Sequence, residues 1–382
     1  MTEQAAINFP VSGHCDPQFT AVREAFAANF NEGLELGAGF AVYKDGKLVI
    51  DLIGGFSDRK TETPWKPDTI VPVFSSTKAI AAIVIAHLAD QDKLGYNQAV
   101  SSFWPQFAAN GKAAITIGDV LSHQAGLSGI TDPNFTSADW YDWDKTCATL
   151  AAQKPIWELG SACGYHPVTY GYLAGEIAQR IDGRSLGTIL REDFCEPLGI
   201  DFHIGLPKSE HDRCAYLGKP RQVPSLGEIN PATKAAFMEK WSTSAGAGDI
   251  TSWREMEIPS TNGHGTALAL AKLMTVLIDG RIDGKVYLAE DILRDFKAAR
   301  ISGPNLVLPF DMTFGAGIMH NDPNYFYGPN IETVGHSGWG GSCLFADSKA
   351  GISAAYVMNS QSHHLLGDPR PVRLIKALYQ CV

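Results

Sequence analysis

A serine and a lysine lie three residues apart where the longest apolar run of the chain begins, in Ser75-Ser76-Thr77-Lys78. Residues with this spacing share one face of a helix, so the amine can reach the hydroxyl. The run from 79 to 89 predicts a helix buried on all sides, with hydroxyl residues at its N-cap. Burial lowers the pKa of a lysine, and the field at a helix N-terminus favours negative charge on a serine oxygen. The pair therefore has the chemistry of an activated nucleophile that forms an acyl-enzyme.

Two other segments have nucleophile-like patterns without the context that such patterns require. Ser57-Asp58-Arg59-Lys60 repeats the S-x-x-K spacing in a polar turn, where no helix would align the two side chains. Gly183-Arg184-Ser185-Leu186-Gly187 fits G-x-S-x-G, which needs a preceding strand, but the residues before it have a helical pattern. Ser185 is expected to be the N-cap of the next helix. No HExxH pattern occurs and His363-His364 is a lone pair in a polar loop, so no metal site is predicted.

Strand patterns lie near both ends of the chain and helical patterns lie between them. Asp45-Gly46 joins two β-rich segments, which is a strong hairpin signal, and a second hairpin pattern follows late in the sequence. The expected strands are 40–43, 48–53, 342–346 and 352–358, and the expected flanking helices are 17–29 and 371–379. This order predicts an α/β (α+β) fold, in which both chain ends build one antiparallel sheet flanked by helices.

The middle of the chain predicts a separate unit. We expect an α/β domain formed by residues 1–90 and 245–382. We expect an inserted, mainly helical domain formed by residues 91–244, with the active site between the two domains. The inserted segment is rich in aromatic residues that would provide an apolar wall for a small acyl group: Trp140, Tyr141, Trp143 and Trp157.

Composition excludes several classes of partner. The chain has 382 residues with a net charge of −10, so no electrostatic attraction to nucleic acid or anionic membranes is expected. No apolar run reaches the length of a membrane span, and residues 1–10 do not resemble a signal peptide. The seven cysteines include no CxxC pair. They are expected to be reduced thiols in a cytoplasmic protein.

Three motifs in a fixed order resemble a known family. Ser75-Ser76-Thr77-Lys78 is followed by Tyr165 in Gly164–Gly171 and by Gly335-His336-Ser337-Gly338-Trp339-Gly340-Gly341. This order resembles the serine β-lactamase/penicillin-binding-protein superfamily, and within it the family VIII carboxylesterases, which share the class C β-lactamase fold. The segment Leu121–Leu127 is similar to the family's L-x-x-H-x-S/A-G-L motif. The resemblance extends from the first hairpin to the last, and it implies the β-lactamase/transpeptidase-like fold.

The resemblance also implies roles for individual residues. Ser75 matches the acylated serine, Lys78 the lysine that activates it, and Tyr165 the tyrosine that shares in proton transfer. His336, Ser337 and Gly338 take the place of the K-T-G strand beside the substrate. The oxyanion hole would be formed by the backbone N–H groups of Ser75 and Trp339, which is physically reasonable for a tetrahedral intermediate. Which of Lys78 and Tyr165 is the base stays open at this point, and His123 and His166 are expected to be structural or to lie behind the catalytic residues.

Two departures from the family pattern bear on the substrate. Pro167 stands where the Y-x-N motif has asparagine, and His336 stands where K-T-G has lysine. Both missing side chains help β-lactamases to hold the lactam, whereas the serine, lysine and tyrosine needed for ester hydrolysis remain. The expected function is therefore hydrolysis of short-chain carboxylic esters without metal or cofactor. A β-lactamase, or an amide hydrolase of the D-aminopeptidase or DD-peptidase type, is the alternative on the same site.

The helix context of Ser75 generates a prediction about the nucleophile. Ser75→Ala should abolish turnover of p-nitrophenyl acetate, whereas Ser57→Ala and Ser185→Ala should retain it, because neither of those serines has an aligned lysine. Mass spectrometry after reaction with a fluorophosphonate should place the adduct on Ser75. An adduct on Ser185 would contradict both the mechanism and the fold expected here.

Overall fold

The computed structural model describes residues 11–239 and 250–382. The N-terminal residues 1–10 and the expected domain boundary at 244/245 lie outside them. The strands are β1 Val11–Cys15, β2 Gly37–Lys44, β3 Lys47–Asp58, β4 Thr63–Pro64, β5 Val71–Pro72, β6 Phe202–His203, β7 His264–Gly265, β8 Arg281–Ile282, β9 Lys285–Val286, β10 Ile301–Pro304, β11 Asp311–Phe314, β12 Met319–His320, β13 Val334–Ser337, β14 Cys343–Asp347 and β15 Ile352–Met358.

Most of the helices lie between β5 and β10, whereas one precedes β2 and one follows β15. The helices are α1 Thr20–Asn31, α2 Thr77–Asp90, α3 Ile117–Leu121, α4 Trp143–Ala152, α5 Thr169–Asp182, α6 Leu186–Ile189, α7 Glu196–Leu198, α8 Pro231–Lys234, α9 Ile250–Glu255, α10 Ala267–Met274, α11 Val276–Asp279, α12 Glu290–Lys297 and α13 Pro369–Tyr379. Short 3₁₀ turns include Pro17–Phe19 and Phe74–Ser76, and π-helical turns lie at Leu190–Cys195 and Ala235–Glu239.

One antiparallel sheet is built from both ends of the chain. Its strand order is β1-β3-β2-β15-β14-β13-β12-β11-β10, with β4 paired to β3. At its centre β2 pairs with β15, with Ala41 opposite Ala355, so the two terminal segments are direct neighbours. The antiparallel sheet with flanking helices confirms the fold class expected from the sequence.

The local predictions hold for the hairpins and shift by a few residues for the helices. Asp45 and Gly46 both have positive φ, at 50° and 74°, as a two-residue turn of this kind requires. The late hairpin forms as β14 and β15. The helix expected at 17–29 begins at Thr20, after a 3₁₀ turn, and the last helix begins earlier than expected, at Pro369, capped by the Asp368 side chain.

Each face of the sheet carries a hydrophobic core. On one face α1 and α13 pack over the strands, around side chains such as Phe26, Phe40 and Leu374. The other core contains α2, which packs against α5 and α12. Every α2 residue except His87 and Asp90 is buried, so the predicted all-round burial is confirmed. Among the described residues, no helix is long and apolar enough to span a membrane.

The tight packing around α2 leads to a prediction about stability. At Gly317, where φ is +87°, a Cβ would lie 2.3 Å from the Tyr170 hydroxyl and 2.6 Å from Ala82 Cβ. At Gly284, where φ is +78°, a Cβ would have no neighbour within 4 Å. Gly284→Ala should therefore cost only the backbone strain, about 1–2 kcal/mol, whereas Gly317→Ala should cost about 1–3 kcal/mol more.

Urea denaturation of the two variants measures this difference, because they share the same backbone strain. Equal free energies of unfolding for Gly317→Ala and Gly284→Ala would show that the loop at Gly317 can move away from α2.

Candidate active site

Ser75 lies in the 3₁₀ turn Phe74–Ser76, immediately before α2. The preceding residue, Phe74, has a φ of 47°, which is unusual for a bulky side chain and strains the backbone there. The Phe74 ring packs against Trp253, with ring centroids 6.2 Å apart. This contact helps to hold the strained turn that presents Ser75.

The hydroxyl groups at the start of α2 do not cap the helix, so the N-cap expected there is wrong. Ser76 hydrogen-bonds the Ser342 hydroxyl at 3.1 Å, and Thr77 Oγ1 accepts the Gly263 N–H at 3.0 Å. These hydroxyls tie the helix to neighbouring segments and leave the Ser75 hydroxyl to face the buried lysine.

Lys78 is buried completely beside Ser75. Its Nζ lies 3.1 Å from Ser75 Oγ, and it donates hydrogen bonds to the carbonyl oxygens of Pro167 at 2.8 Å and Ser260 at 2.9 Å. Burial lowers the pKa of Lys78 well below its ordinary value, because the charged amine loses its hydration. The i, i+3 geometry expected from the sequence is present.

Tyr165 completes the group from the opposite side. It is buried, its side chain hydrogen-bonds Ser75, and Lys78 Nζ lies 4.8 Å from the centre of its ring. Burial raises the pKa of Tyr165, and the bond to Ser75 opposes this shift only in part. The phenol therefore keeps its proton at neutral pH. Tyr165 lies in the loop before α5, which starts at Thr169.

Two histidine side chains position this loop. His166 Nε2 accepts the Leu127 N–H at 3.1 Å and its Nδ1 lies 2.6 Å from the Gly164 carbonyl, so the ring is neutral with its proton on Nδ1. His123 accepts the His166 N–H, and its ring packs 4.8 Å from that of Tyr165. Both histidines thus lie behind the catalytic group, as expected.

Asn305 and Ser260 were missed by the sequence reasoning. Asn305 Oδ1 accepts the Tyr165 N–H at 3.1 Å and also the Val307 and Leu308 N–H groups. It therefore fixes the backbone of Tyr165 from a turn 140 residues away. The backbone carbonyl of Ser260 accepts a hydrogen bond from Lys78. Every residue type has this carbonyl, so the sequence does not indicate the role.

Strand β13 brings the third motif to the site. His336 is buried, with Nδ1 2.8 Å from the Ser337 carbonyl and its ring 6.1 Å from that of Tyr165. Burial lowers the pKa of His336 to about 3, with a contribution from nearby Lys78. The imidazole is therefore neutral at pH 7. The Ser337 hydroxyl lies 2.8 Å from that of Tyr327, so it already has a protein partner.

Gly338 has a clear steric role. A Cβ at this position would lie 2.2 Å from the Val73 carbonyl oxygen and 2.3 Å from Ser342 Oγ. Only glycine lets the end of β13 approach the turn that carries Ser75 so closely. The next residue, Trp339, lines the same cavity as Ser75.

A cavity of about 320 Å³ opens at Ser75, Tyr165, His336, Ser337 and Trp339. Its walls are mainly apolar, and no Asp, Glu, Lys or Arg side chain of the described residues lines it. The apolar wall includes Phe74, Val168, Leu226, Phe237, Trp253 and Leu308.

The expectation that Trp140, Tyr141, Trp143 and Trp157 form this wall is wrong, because none of them lines the cavity. Trp140 and Trp143 instead pack on Tyr172 inside the helical region. Their aromatic surface is used to hold helices together, away from Ser75.

The serines of the two competing motifs hydrogen-bond to other parts of the protein and have structural roles. Ser57 lies in β3 itself, one residue before its end, and not in the turn expected from the sequence; its hydroxyl bonds the Thr63 carbonyl. Ser185 caps α6, as expected, accepting the Thr188 N–H while donating to Glu257 at 2.6 Å. Within residues 11–239 and 250–382, no group of three His, Cys, Asp or Glu side chains is arranged to hold a metal ion.

Comparison with known proteins defines the family. Residues 26–377 match the Beta-lactamase family, so the chain belongs to it. A solved family VIII carboxylesterase is 40% identical and superimposes with a TM-score of 0.92, covering 98% of this chain and 100% of that one. The resemblance to the family VIII carboxylesterases indicated by the motifs is thereby confirmed.

Two further relatives agree with this assignment. A penicillin-binding protein homologue from Caulobacter crescentus is 55% identical with a TM-score of 0.94, over 98% of this chain and 100% of that one. The esterase/beta-lactamase LipL of Mycobacterium tuberculosis is 34% identical over 91% of this chain and 83% of its own length.

The pKa shifts in the site predict the pH dependence of kcat/KM. The neutral amine of Lys78 is the basic form, and its lowered pKa makes that form available below the ordinary lysine pKa of 10.5. Activity should rise with pH through the pKa of Lys78 and then level off. Because the pKa of Tyr165 is raised above 10.0, activity should not fall again up to about pH 10.

A pH profile of p-nitrophenyl ester hydrolysis, corrected for hydroxide-driven hydrolysis, checks this prediction. The pKa of His336 is about 3, so this residue should add no step near neutral pH. A profile that declines between about pH 8 and pH 10 would contradict the assignment of a protonated Tyr165.

Proposed function

We propose that the protein hydrolyses small, uncharged carboxylic esters through an acyl-enzyme on Ser75. The observation that carries the proposal is the buried Lys78 amine, 3.1 Å from Ser75 Oγ and bonded to two backbone carbonyls. The likeness to proteins named as a carboxylesterase and an esterase supports the activity.

The hydrogen bonds around Lys78 are compatible with its acting as the base. A neutral amine has two N–H groups and one lone pair, whereas an ammonium has three N–H groups and no acceptor. The Pro167 and Ser260 carbonyls take two N–H groups, which in the neutral amine leaves the lone pair for the Ser75 hydroxyl. The lowered pKa of Lys78 and the raised pKa of Tyr165 favour the same assignment.

The reaction then proceeds in two halves. Lys78 takes the Ser75 proton as the oxygen attacks the ester carbonyl, and the N–H groups of Ser75 and Trp339 bind the oxyanion. Tyr165 donates its proton to the departing alkoxide and regains one from Lys78. A water molecule, deprotonated by the same pair, attacks the acyl-enzyme and releases the carboxylic acid with Ser75 restored.

The chain segments that supply the site residues bear on the arrangement of domains. We propose that residues 1–90 and 245–382 form one domain and residues 91–244 the other, with the site between them. Ser75 and Lys78 come from the first segment, Tyr165 from the second and Trp339 from the third. A site assembled from all three would depend on the relative placement of the two domains.

No charged side chain of the described residues lines the cavity, which favours esters over β-lactams. The carboxylate of a lactam needs a cation, and neutral His336 stands in place of the K-T-G lysine. Pro167 has no side-chain donor for the lactam amide. Because the LipL relative is named an esterase/beta-lactamase, β-lactam hydrolysis is a second candidate activity of the same site.

This reasoning predicts substrate preference. The kcat/KM for p-nitrophenyl acetate and butyrate should exceed that for nitrocefin, because each missing orienting contact should cost a lactam roughly 1–3 kcal/mol. The measurement uses one enzyme preparation, with Ser75→Ala as the control for contaminating hydrolases. A nitrocefin value equal to the ester values would assign the protein to the β-lactamases instead.

A further inference from the structure

The turn that carries Trp339 contains three glycines and has few side chains with which to fix itself. Gly338 N–H bonds the Ser342 carbonyl at 2.7 Å, and Gly340 and Gly341 both have positive φ. On the inner side, Ser342 Oγ donates to the Val73 carbonyl at 2.7 Å, next to the turn bearing Ser75. The outer side of this glycine turn, residues 338–342, must be held by other parts of the chain.

Arg370 holds that outer side. It is 3% exposed, and its Nη2 donates to the Gly340 carbonyl at 2.9 Å. Nε and Nη2 bond the Asp368 carboxylate at 3.0 and 2.8 Å, and Nη1 bonds Glu35 at 3.1 Å and the Ser360 carbonyl at 2.7 Å. All five N–H groups of the guanidinium are therefore used, which fixes its position.

The cluster also limits outward movement of the glycine turn. A Cβ on Gly341 would lie 2.4 Å from Asp368 Oδ2 and 2.5 Å from Arg370 Nη2, so the turn lies directly against the charged groups. Buried ion clusters can often be replaced by apolar side chains without loss of stability. A role in placing the glycine turn explains this one better than fold stability does.

We propose that Arg370 is a positioning residue for ester hydrolysis: held by Glu35 and Asp368, it fixes the Gly340 carbonyl and so aims the Trp339 N–H at the oxyanion on Ser75. This inference rests on the proposed function, in which Trp339 supplies one donor of the oxyanion hole. A misplacement of about 1 Å in such a donor can reduce the rate by up to about 100-fold.

The decisive variant is Arg370→Lys. A lysine has three donors on one nitrogen, so it cannot make the five bonds that Arg370 directs from three nitrogens to Gly340, Ser360, Glu35 and Asp368. We expect kcat/KM for p-nitrophenyl butyrate to fall about 10-fold or more, through kcat, with KM changed less than about twofold. Affinity for phenylboronic acid should fall by a similar factor, because its tetrahedral adduct on Ser75 places an oxygen in the oxyanion hole.

Arg373→Lys is the matched control. Arg373 lies one turn further along α13 and bonds Asn29 on α1 and Glu32 directly after it, away from the glycine turn. It should leave kcat/KM and boronate affinity unchanged. Equal losses in the two variants would overturn the inference, as would wild-type values in Arg370→Lys or a loss of activity without a loss of boronate affinity.

Asp368→Asn decides the question if Arg370→Lys does not fold. Asparagine keeps an oxygen to cap α13 but removes the charge that holds Nη2, so boronate affinity and kcat should fall together by a smaller factor. Wild-type boronate affinity in this variant would overturn the inference. Fluorophosphonate labelling of the wild-type protein distinguishes failure of the proposed function from failure of the inference about Arg370. If Ser75 is not labelled, both are rejected. If Ser75 is labelled, the variants alone decide the inference.

Discussion

The burial of the Lys78 amine is the constraint around which the site is arranged. A lysine deprived of water must lose its proton or find partners for every donor, and here two backbone carbonyls serve as partners. Those carbonyls belong to segments that are far apart in the chain, Pro167 just before α5 and Ser260 after α9. The fold must therefore bring both segments to one face of α2 before the amine can be accommodated.

Close approach of backbone segments makes this convergence possible. A Cβ at Gly171 would lie 2.7 Å from Ser260 Oγ, and one at Gly263 would lie 2.6 Å from Thr77 Oγ1. Gly338 has the same role on the sheet side. The segments that meet at Ser75 thus approach more closely than a side chain between them would allow, which keeps the Lys78 amine enclosed.

The sequence predicts the parts of this arrangement that depend on local spacing. The Ser75–Lys78 pair, both hairpins and the cap at Ser185 follow from rules that operate within a few residues, and all three are present. The N-cap at α2 was wrong because Ser76 and Thr77 have tertiary partners that local rules cannot include. Asn305 and the carbonyl of Ser260 were not found, since their roles depend only on where the folded chain places them.

The central position of the β2–β15 pair has a consequence for how the protein is made. Strand β15 is synthesised long after β2, yet it separates the first hairpin from the rest of the sheet. Contacts between distant parts of a chain form slowly, because the intervening loop must first be closed. Until β15 arrives, β2 has an unpaired apolar edge, and such edges aggregate readily during biosynthesis. During synthesis the β2–β3 hairpin therefore stays without its neighbour until β15 emerges, and slower translation at low temperature would not shorten that wait.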